Sequence, residues 1–127
     1  MQIVCENTYA SVLVVPLDDL PLKQSHKVLV QIGTTARPSG WKTEPATFLP
    51  KGSKKEIAGE RILDVGRNPW RIADSQLTVR LVNAAINKAV ALDGSGGPCR
   101  EVRVQRDEGA VVVRALAETI YLVLTRD

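Results

Sequence analysis

Apolar and polar residues alternate with a period of two along much of the chain, and this pattern constrains the fold more than any other feature. Successive side chains of a β-strand point to opposite faces, so alternation predicts strands with one buried face. The alternation is clearest in segments 27–32, 76–81, 101–106 and 119–125. Segments 9–15 and 110–113 are denser apolar runs, as expected of central strands, and 57–65 is a less regular strand candidate.

Turn-forming residues separate these runs at short intervals. Prolines in segments 37–50 and 66–70 exclude central strand pairing, so we predict loops or edge strands there. Segment 83–92 is alanine-rich and compatible with a short helix, but a glycine-rich turn follows it, and we favour a strand over 86–92. The sequence therefore predicts an all-β fold, an antiparallel β-sandwich of about eight to ten short strands.

Length and charge limit the classes of protein and partner. At 127 residues the chain has the length of one domain, so we predict a single module over 1–127. Strand-like sequence lies close to both ends, which suggests a module excised from a longer protein. The formal net charge of +3 is too small to require a nucleic-acid partner, and no apolar run is long enough for a membrane span. We expect neither nucleic acid nor membrane as a partner.

No catalytic or metal-binding pattern is legible, and we expect no enzyme activity, cofactor or metal. His26 is the only histidine, and no Gly-x-Ser-x-Gly motif is present. One histidine with two distant cysteines does not make a zinc or copper site. The loop at Asp93 is the best calcium candidate, although turn geometry alone explains its Asp-Gly pair. Cys5 and Cys99 are expected to be unpaired, partly buried thiols unless their strands are neighbours.

The two tryptophans are the candidate ligand-binding residues, because each follows Gly or Pro in an irregular segment. A flat aromatic ring can stack on the apolar face of a sugar while polar neighbours bond its hydroxyl groups. The alternative is that each tryptophan plugs one end of the sandwich core. The candidate carbohydrate-binding residues are Trp41 with Arg37, Lys42 and Glu44, and Trp70 with Arg67, Asn68 and Arg71. The basic cluster Lys51–Lys55 can contact phosphate or an acidic polymer, or form a solvated loop tip.

Residues 11–33 resemble a segment of the C-terminal β-sandwich domains of multidomain bacterial glycoside hydrolases. Those domains carry Leu-Asp-Gly-x-Pro-Leu after a strand, and then a strand that begins Ser-Lys. Here Asp19 and Leu20 stand where those domains have the glycine and its neighbour. Later matches are the strand Thr78–Leu81, the turn Ala91–Gly96 and the strand Ile120–Leu122. These are turn and strand motifs, so they indicate the fold rather than an activity.

The resemblance implies a non-catalytic accessory domain of a polysaccharide-degrading enzyme, secreted or periplasmic with its parent protein. Its expected partners are a polysaccharide or oligosaccharide and the parent's catalytic domain. We expect a carbohydrate-binding module that targets a glycoside hydrolase to plant or microbial polysaccharide. The alternative is a structural accessory domain that packs on the catalytic domain without binding glycan; it would expose an apolar patch when isolated. A small hydrolase or lyase is a third hypothesis.

Overall fold

The computed structural model describes all residues from Met1 to Asp127 and contains thirteen β-strands and no helix. The all-β, sandwich-like fold class predicted from the alternation is confirmed. The number of strands exceeds the predicted eight to ten. The chain divides into two compact units, one formed by Met1–Thr35 with Ala73–Asp127, the other by Ala36–Ile72. We call them the sandwich unit and the ribbon unit.

The sandwich unit contains nine strands in two antiparallel sheets. The four-stranded sheet has the order β1 (Gln2–Cys5), β8 (Leu77–Val82), β12 (Ala110–Arg114) and β11 (Val104–Asp107). The five-stranded sheet has the order β10 (Pro98–Val102), β9 (Lys88–Leu92), β13 (Tyr121–Thr125), β3 (Lys27–Thr34) and β2 (Ala10–Pro16).

One hydrophobic core unites residues of both sheets, and it follows the alternation in the sequence. On β8, the inward side chains of Leu77, Val79 and Leu81 are buried, while Val82 is exposed. The β3 and β13 strands alternate in the same way. The core side chains are Val28, Val30, Ile32, Leu77, Val79, Leu81, Ile86, Ala89, Ala91, Val102, Val111, Val113, Ala115, Leu122 and Leu124.

The ribbon unit consists of two short antiparallel ladders, formed by one continuous segment that folds back on itself. Its strands are β4 (Ala36–Ser39), β5 (Lys42–Phe48), β6 (Ile57–Asp64) and β7 (Arg67–Ile72). β4 pairs only with β7, and β5 only with β6. The prolines predicted to exclude central pairing are accommodated because every strand here is an edge strand. These strands account for most of the excess over the predicted number.

The ribbon begins and ends at neighbouring points of the sandwich unit. The Ala73 N–H donates to the Thr35 carbonyl at 2.9 Å, and the Thr34 hydroxyl donates to the Ala73 carbonyl. The chain therefore leaves the sandwich unit and rejoins it at residues that are joined by two hydrogen bonds.

Two local expectations are corrected. Segment 101–106 is not one strand, because the chain passes from the edge of the five-stranded sheet to the edge of the other at Arg103. Val102 is buried and Val104 is half-buried, so the inward-facing alternation continues although the chain passes from one sheet to the other. The favoured strand over 86–92 exists but begins at Lys88, and no part of the alanine-rich segment is helical.

A buried asparagine supports the turn that precedes β9. The Asn83 side chain is 1% exposed, and its amide donates to the carbonyls of Leu22 and Ser25, each at 2.8 Å. Its Oδ1 accepts the N–H groups of Ala85 at 2.9 Å and Ile86 at 3.3 Å. Every polar group of the amide is thus satisfied, as a buried side chain of this kind requires.

The connection between β2 and β3 is held by Asp18, whose Oδ2 accepts the His26 N–H at 2.8 Å. The nearby Ser25 side chain lowers the pKa of Asp18 below its ordinary value of 3.8; desolvation opposes this shift and the His26 N–H reinforces it. The Ser25 hydroxyl itself donates to the Lys27 carbonyl at 2.9 Å. Asp18 and Ser25 belong to the motif that carries the resemblance, so the polar residues of that motif stabilise a turn.

The core predicts a large cost for Leu122→Ala, because this side chain is fully buried between its neighbours. We expect a loss of about 2–5 kcal/mol in the free energy of unfolding, measured by chemical denaturation. Leu13→Ala is the matched control, since Leu13 is 52% exposed, and its cost should stay within about 0.5 kcal/mol. Equal costs for the two variants would contradict the described core.

The Asp18 interaction predicts a pH-dependent stability. Because the folded-state pKa lies below 3.8, the carboxylate stabilises the fold above that pH, and this contribution is lost as the pH falls through the folded-state pKa. Asp18→Asn should therefore unfold at lower denaturant than wild type at pH 7, and the gap should narrow below pH 3.8. Asp19→Asn, at the exposed neighbouring position, is the control. A gap of constant size at every pH would argue against this role.

Candidate functional site

All eight candidate binding residues, including both tryptophans of the chain, lie in the ribbon unit. The ladder between β4 and β7 has two chemically different faces. Ala36 pairs with Ile72 and Pro38 with Trp70, which gives one face four apolar side chains. Directly opposed residues share a face and successive pairs alternate, so Arg37 and its partner Arg71 lie on the other face. We call these the apolar face and the basic face.

Trp70 presents its ring to solvent from the apolar face. The residue is 62% exposed, and Ile72 on the same face is 56% exposed. A side chain with this exposure does not fill a core. This argues against the alternative that Trp70 plugs one end of the sandwich core. The strand beside it is tied by the Ser39 hydroxyl, which donates to the Pro69 carbonyl at 2.7 Å.

Trp41 is half-buried and lies beneath a cation. The guanidinium carbon of Arg37 is 5.1 Å from the centroid of the Trp41 ring, within the range of a cation–π interaction. Arg37 also donates to the Ala36 carbonyl at 2.9 Å. The two candidates predicted to act together are therefore in contact, with the guanidinium over the tryptophan ring.

Two glycines join the ladders. Gly40 and Gly66 both have positive φ, 83° and 70°, a conformation that side-chain-bearing residues rarely adopt. A Cβ at Gly66 would lie 2.7 Å from the Ser39 carbonyl oxygen and 2.9 Å from the Trp41 nitrogen. The two backbones can approach this closely only where no side chain intervenes.

A cavity of about 310 Å³ lies beside this junction, and its lining includes Lys42 and Arg67 together with Asp64. The Asp64 carboxylate accepts the Gly66 N–H at 2.8 Å, so part of its hydrogen-bonding capacity is used. Two cations and one partly occupied carboxylate can hold a small anionic or hydroxyl-bearing group.

The remaining candidates have other surroundings. Glu44 forms a cross-strand ion pair with Arg61 at 3.4 Å, and both side chains are exposed. Such pairs contribute about 0–1 kcal/mol. Asn68 lies where the β4–β7 register shifts, between the paired residues Arg67 and Trp70. The structure therefore does not gather all eight residues around one ring.

The ribbon unit also exposes an unusual share of the chain's large apolar side chains. Eight of the fifteen exposed large hydrophobic residues lie within its 37 residues. They are Phe48, Leu49, Ile57, Ile62, Leu63, Val65, Trp70 and Ile72. Only Trp70 among them was predicted from the sequence as a binding candidate. Period-two alternation identifies side chains with a buried face, and it gives no signal for side chains that are exposed.

Positive charge is concentrated in the same unit. The ribbon carries eight Lys and Arg against four Asp and Glu, a formal charge of +4; the sandwich unit carries nine against ten, or −1. The small net charge of the chain thus conceals a basic ribbon and a nearly neutral sandwich. The cluster Lys51–Lys55, noted in the sequence, forms part of the ribbon.

The Asp93 loop and the two cysteines are the other candidates for metal or redox chemistry. No group of three or more His, Cys, Asp or Glu residues is placed to hold a metal ion. Asp93 Oδ1 accepts the N–H groups of Ser95 at 2.8 Å and Gly97 at 2.9 Å, which is the turn geometry expected of that loop. Cys5 and Cys99 are unpaired, and both are exposed rather than partly buried.

Comparison with protein-family models, curated proteins and solved structures found no match to this chain. The chain contains no helix that could span a membrane.

The glycine junction predicts that Gly66→Ala destabilises the ribbon. The new methyl group would meet Ser39 and Trp41 backbone atoms, and the positive φ adds about 1–2 kcal/mol. Gly52→Ala is the matched control, since Gly52 has φ of 84° and a methyl group there would meet no atom within 4 Å. Thermal unfolding followed by tryptophan fluorescence reports on the ribbon, where both tryptophans lie. Equal shifts for both variants would show that the close approach is unimportant.

Proposed function

We propose that this protein is a non-catalytic accessory domain that binds carbohydrate on behalf of a polysaccharide-degrading enzyme, secreted or periplasmic with its parent. The observation that carries the proposal is the exposed ring of Trp70 on the apolar face of the ribbon. The resemblance in the turn and strand motifs is consistent with this role. The proposal assigns no residue to catalysis.

The chemistry of sugar recognition suits this position. The indole is large and flat, and desolvating it against the C–H face of a pyranose is favourable because apolar surface leaves water on both partners. The backbone of Trp70 is held in the β4–β7 ladder, so little backbone freedom is lost on binding. Arg67 and Asn68 precede it in the chain and supply donors for ring hydroxyl groups.

Binding of this kind aids an enzyme through effective concentration. A module that holds the chain to an insoluble polysaccharide turns each later encounter of the catalytic domain with substrate into a local event. Modest affinity suffices, because a short flexible tether alone raises the effective substrate concentration to the millimolar range. The sandwich unit then acts as a stable base for the binding element.

A second candidate function is favoured by a different observation. The ribbon exposes eight large apolar side chains within 37 residues, and an exposed apolar patch is typical of a surface that contacts another protein. A two-stranded ribbon is also marginally stable in water without a surface to pack on. Both points favour a structural accessory domain whose ribbon packs on the catalytic domain of the parent enzyme.

Trp70→Ala tests the first candidate. We expect retention on a panel of insoluble polysaccharides, neutral and acidic, to fall about 10–100-fold, by analogy with the loss of one base–aromatic stack. The melting temperature should stay unchanged because the ring is 62% exposed. Ile72→Ala is the matched control, since it removes an exposed apolar group from the same face without removing the ring.

The same two variants separate the candidates. Loss of retention in Trp70→Ala alone supports carbohydrate binding. If wild type is retained on no polysaccharide, and both variants weaken its association with the separately produced catalytic domain, the structural role is the better account. Retention of Trp70→Ala equal to wild type would overturn the assignment of this ring.

A further inference from the structure

We propose that the basic face of the ribbon selects acidic polysaccharides, with Arg37 and Arg71 together binding a carboxylate of a uronic acid unit. The inference rests on the proposed carbohydrate-binding function and names the class of glycan. It concerns a different face of the ladder from the one that presents Trp70.

The first support is the pairing of two like charges. Arg37 and Arg71 are directly opposite in the antiparallel ladder, which brings their Cβ atoms to within about 4.5–5.5 Å. Like charges at such positions repel each other and destabilise the ladder unless an anion lies between them. None of the ion pairs in the protein involves either residue. A bound carboxylate would relieve the repulsion and accept hydrogen bonds from both guanidinium groups.

The second support is that one of the two cations is held in place before binding. Arg37 lies over the Trp41 ring and donates to the Ala36 carbonyl. A guanidinium fixed in this way loses less side-chain entropy when it binds a ligand. Its planar fork matches the two oxygens of a carboxylate, which a lysine ammonium does not.

The third support is the excess of positive charge in the ribbon around Arg37 and Arg71. The ribbon has a formal charge of +4, and two of its four carboxylates are already engaged, Glu44 with Arg61 and Asp64 with the Gly66 N–H. Arg67 and Lys42 line the cavity further along the same ribbon. A polymer with one carboxylate on every sugar can meet this series of cations, whereas a neutral polymer gains nothing from it.

The test uses one polymer in two charge states. Wild-type protein should bind soluble polygalacturonate. Its affinity for the fully methyl-esterified polymer, whose carboxylates are masked, should be at least about tenfold lower. Binding to polygalacturonate should also weaken as salt is raised, because exposed charges are screened. Poly-glutamate serves as an anionic polymer without sugar rings.

Arg71→Gln should weaken binding to polygalacturonate about tenfold, the loss of one charge-assisted contact, and weaken binding to the ester by clearly less. Arg103→Gln is the matched control, because it removes the same charge from an exposed position of the sandwich unit. Arg71→Lys keeps the charge but not the fork, so its affinity should fall between those of wild type and Arg71→Gln.

The outcomes distinguish the inference from the function on which it rests. Equal binding of the acid and its ester, or equal losses for Arg71→Gln and Arg103→Gln, overturns the selectivity while leaving carbohydrate binding intact. Binding of poly-glutamate as tight as that of polygalacturonate overturns recognition of a sugar acid in favour of general anion binding. Retention on no polysaccharide of any kind overturns both the inference and the proposed function.

Discussion

The structure depends on one constraint, which is that a β-strand must pair its backbone groups and also keep its apolar side chains from water. In the sandwich unit both demands are met together, because two sheets pair their strands and enclose residues such as Val30, Val79 and Leu122. In the ribbon unit the first demand is met on only one edge of each strand, because β4 pairs only with β7 and β5 only with β6. The second is not met, since Ile62, Val65 and Trp70 remain exposed. This contrast makes the ribbon the part of the molecule that gains most from a ligand or partner.

The same contrast explains which elements could be predicted from sequence. Alternation arises from one-sided burial, so it located the strands containing Val28, Val79 and Leu122, all of which face the core. The ribbon has side chains exposed on both faces, so its strands lack this clear pattern. Only β6 was a strand candidate, over 57–65, and the prolines favoured loops or edge strands for the other ribbon segments. The change of sheet at Arg103 was also invisible, because a chain that passes between two sheets keeps its inward alternation throughout.

The sequence indicated which segments carry the candidate residues, but not which face of the β4–β7 ladder each side chain occupies. Neighbours in sequence suggested that Arg71 would assist Trp70, but adjacent residues on a strand point in opposite directions, and the register places Arg71 opposite Arg37. The stack of Arg37 on Trp41 joins two residues four apart around a tight turn. The charge imbalance is written in the sequence, yet it becomes visible only when the limits of the ribbon, Ala36 and Ile72, are known.

The hydrogen bond between Thr35 and Ala73 has a consequence for how such a domain can diversify. Because the chain leaves and rejoins the sandwich unit at bonded residues, the 37 residues between them can be shortened, lengthened or exchanged while the same two ends are closed. Closing a longer loop costs little extra entropy, about 0.6 kcal/mol for each doubling of its length. The sandwich unit is therefore a scaffold on which the ribbon can change in evolution, or be replaced by grafting, separately from the stability of the core.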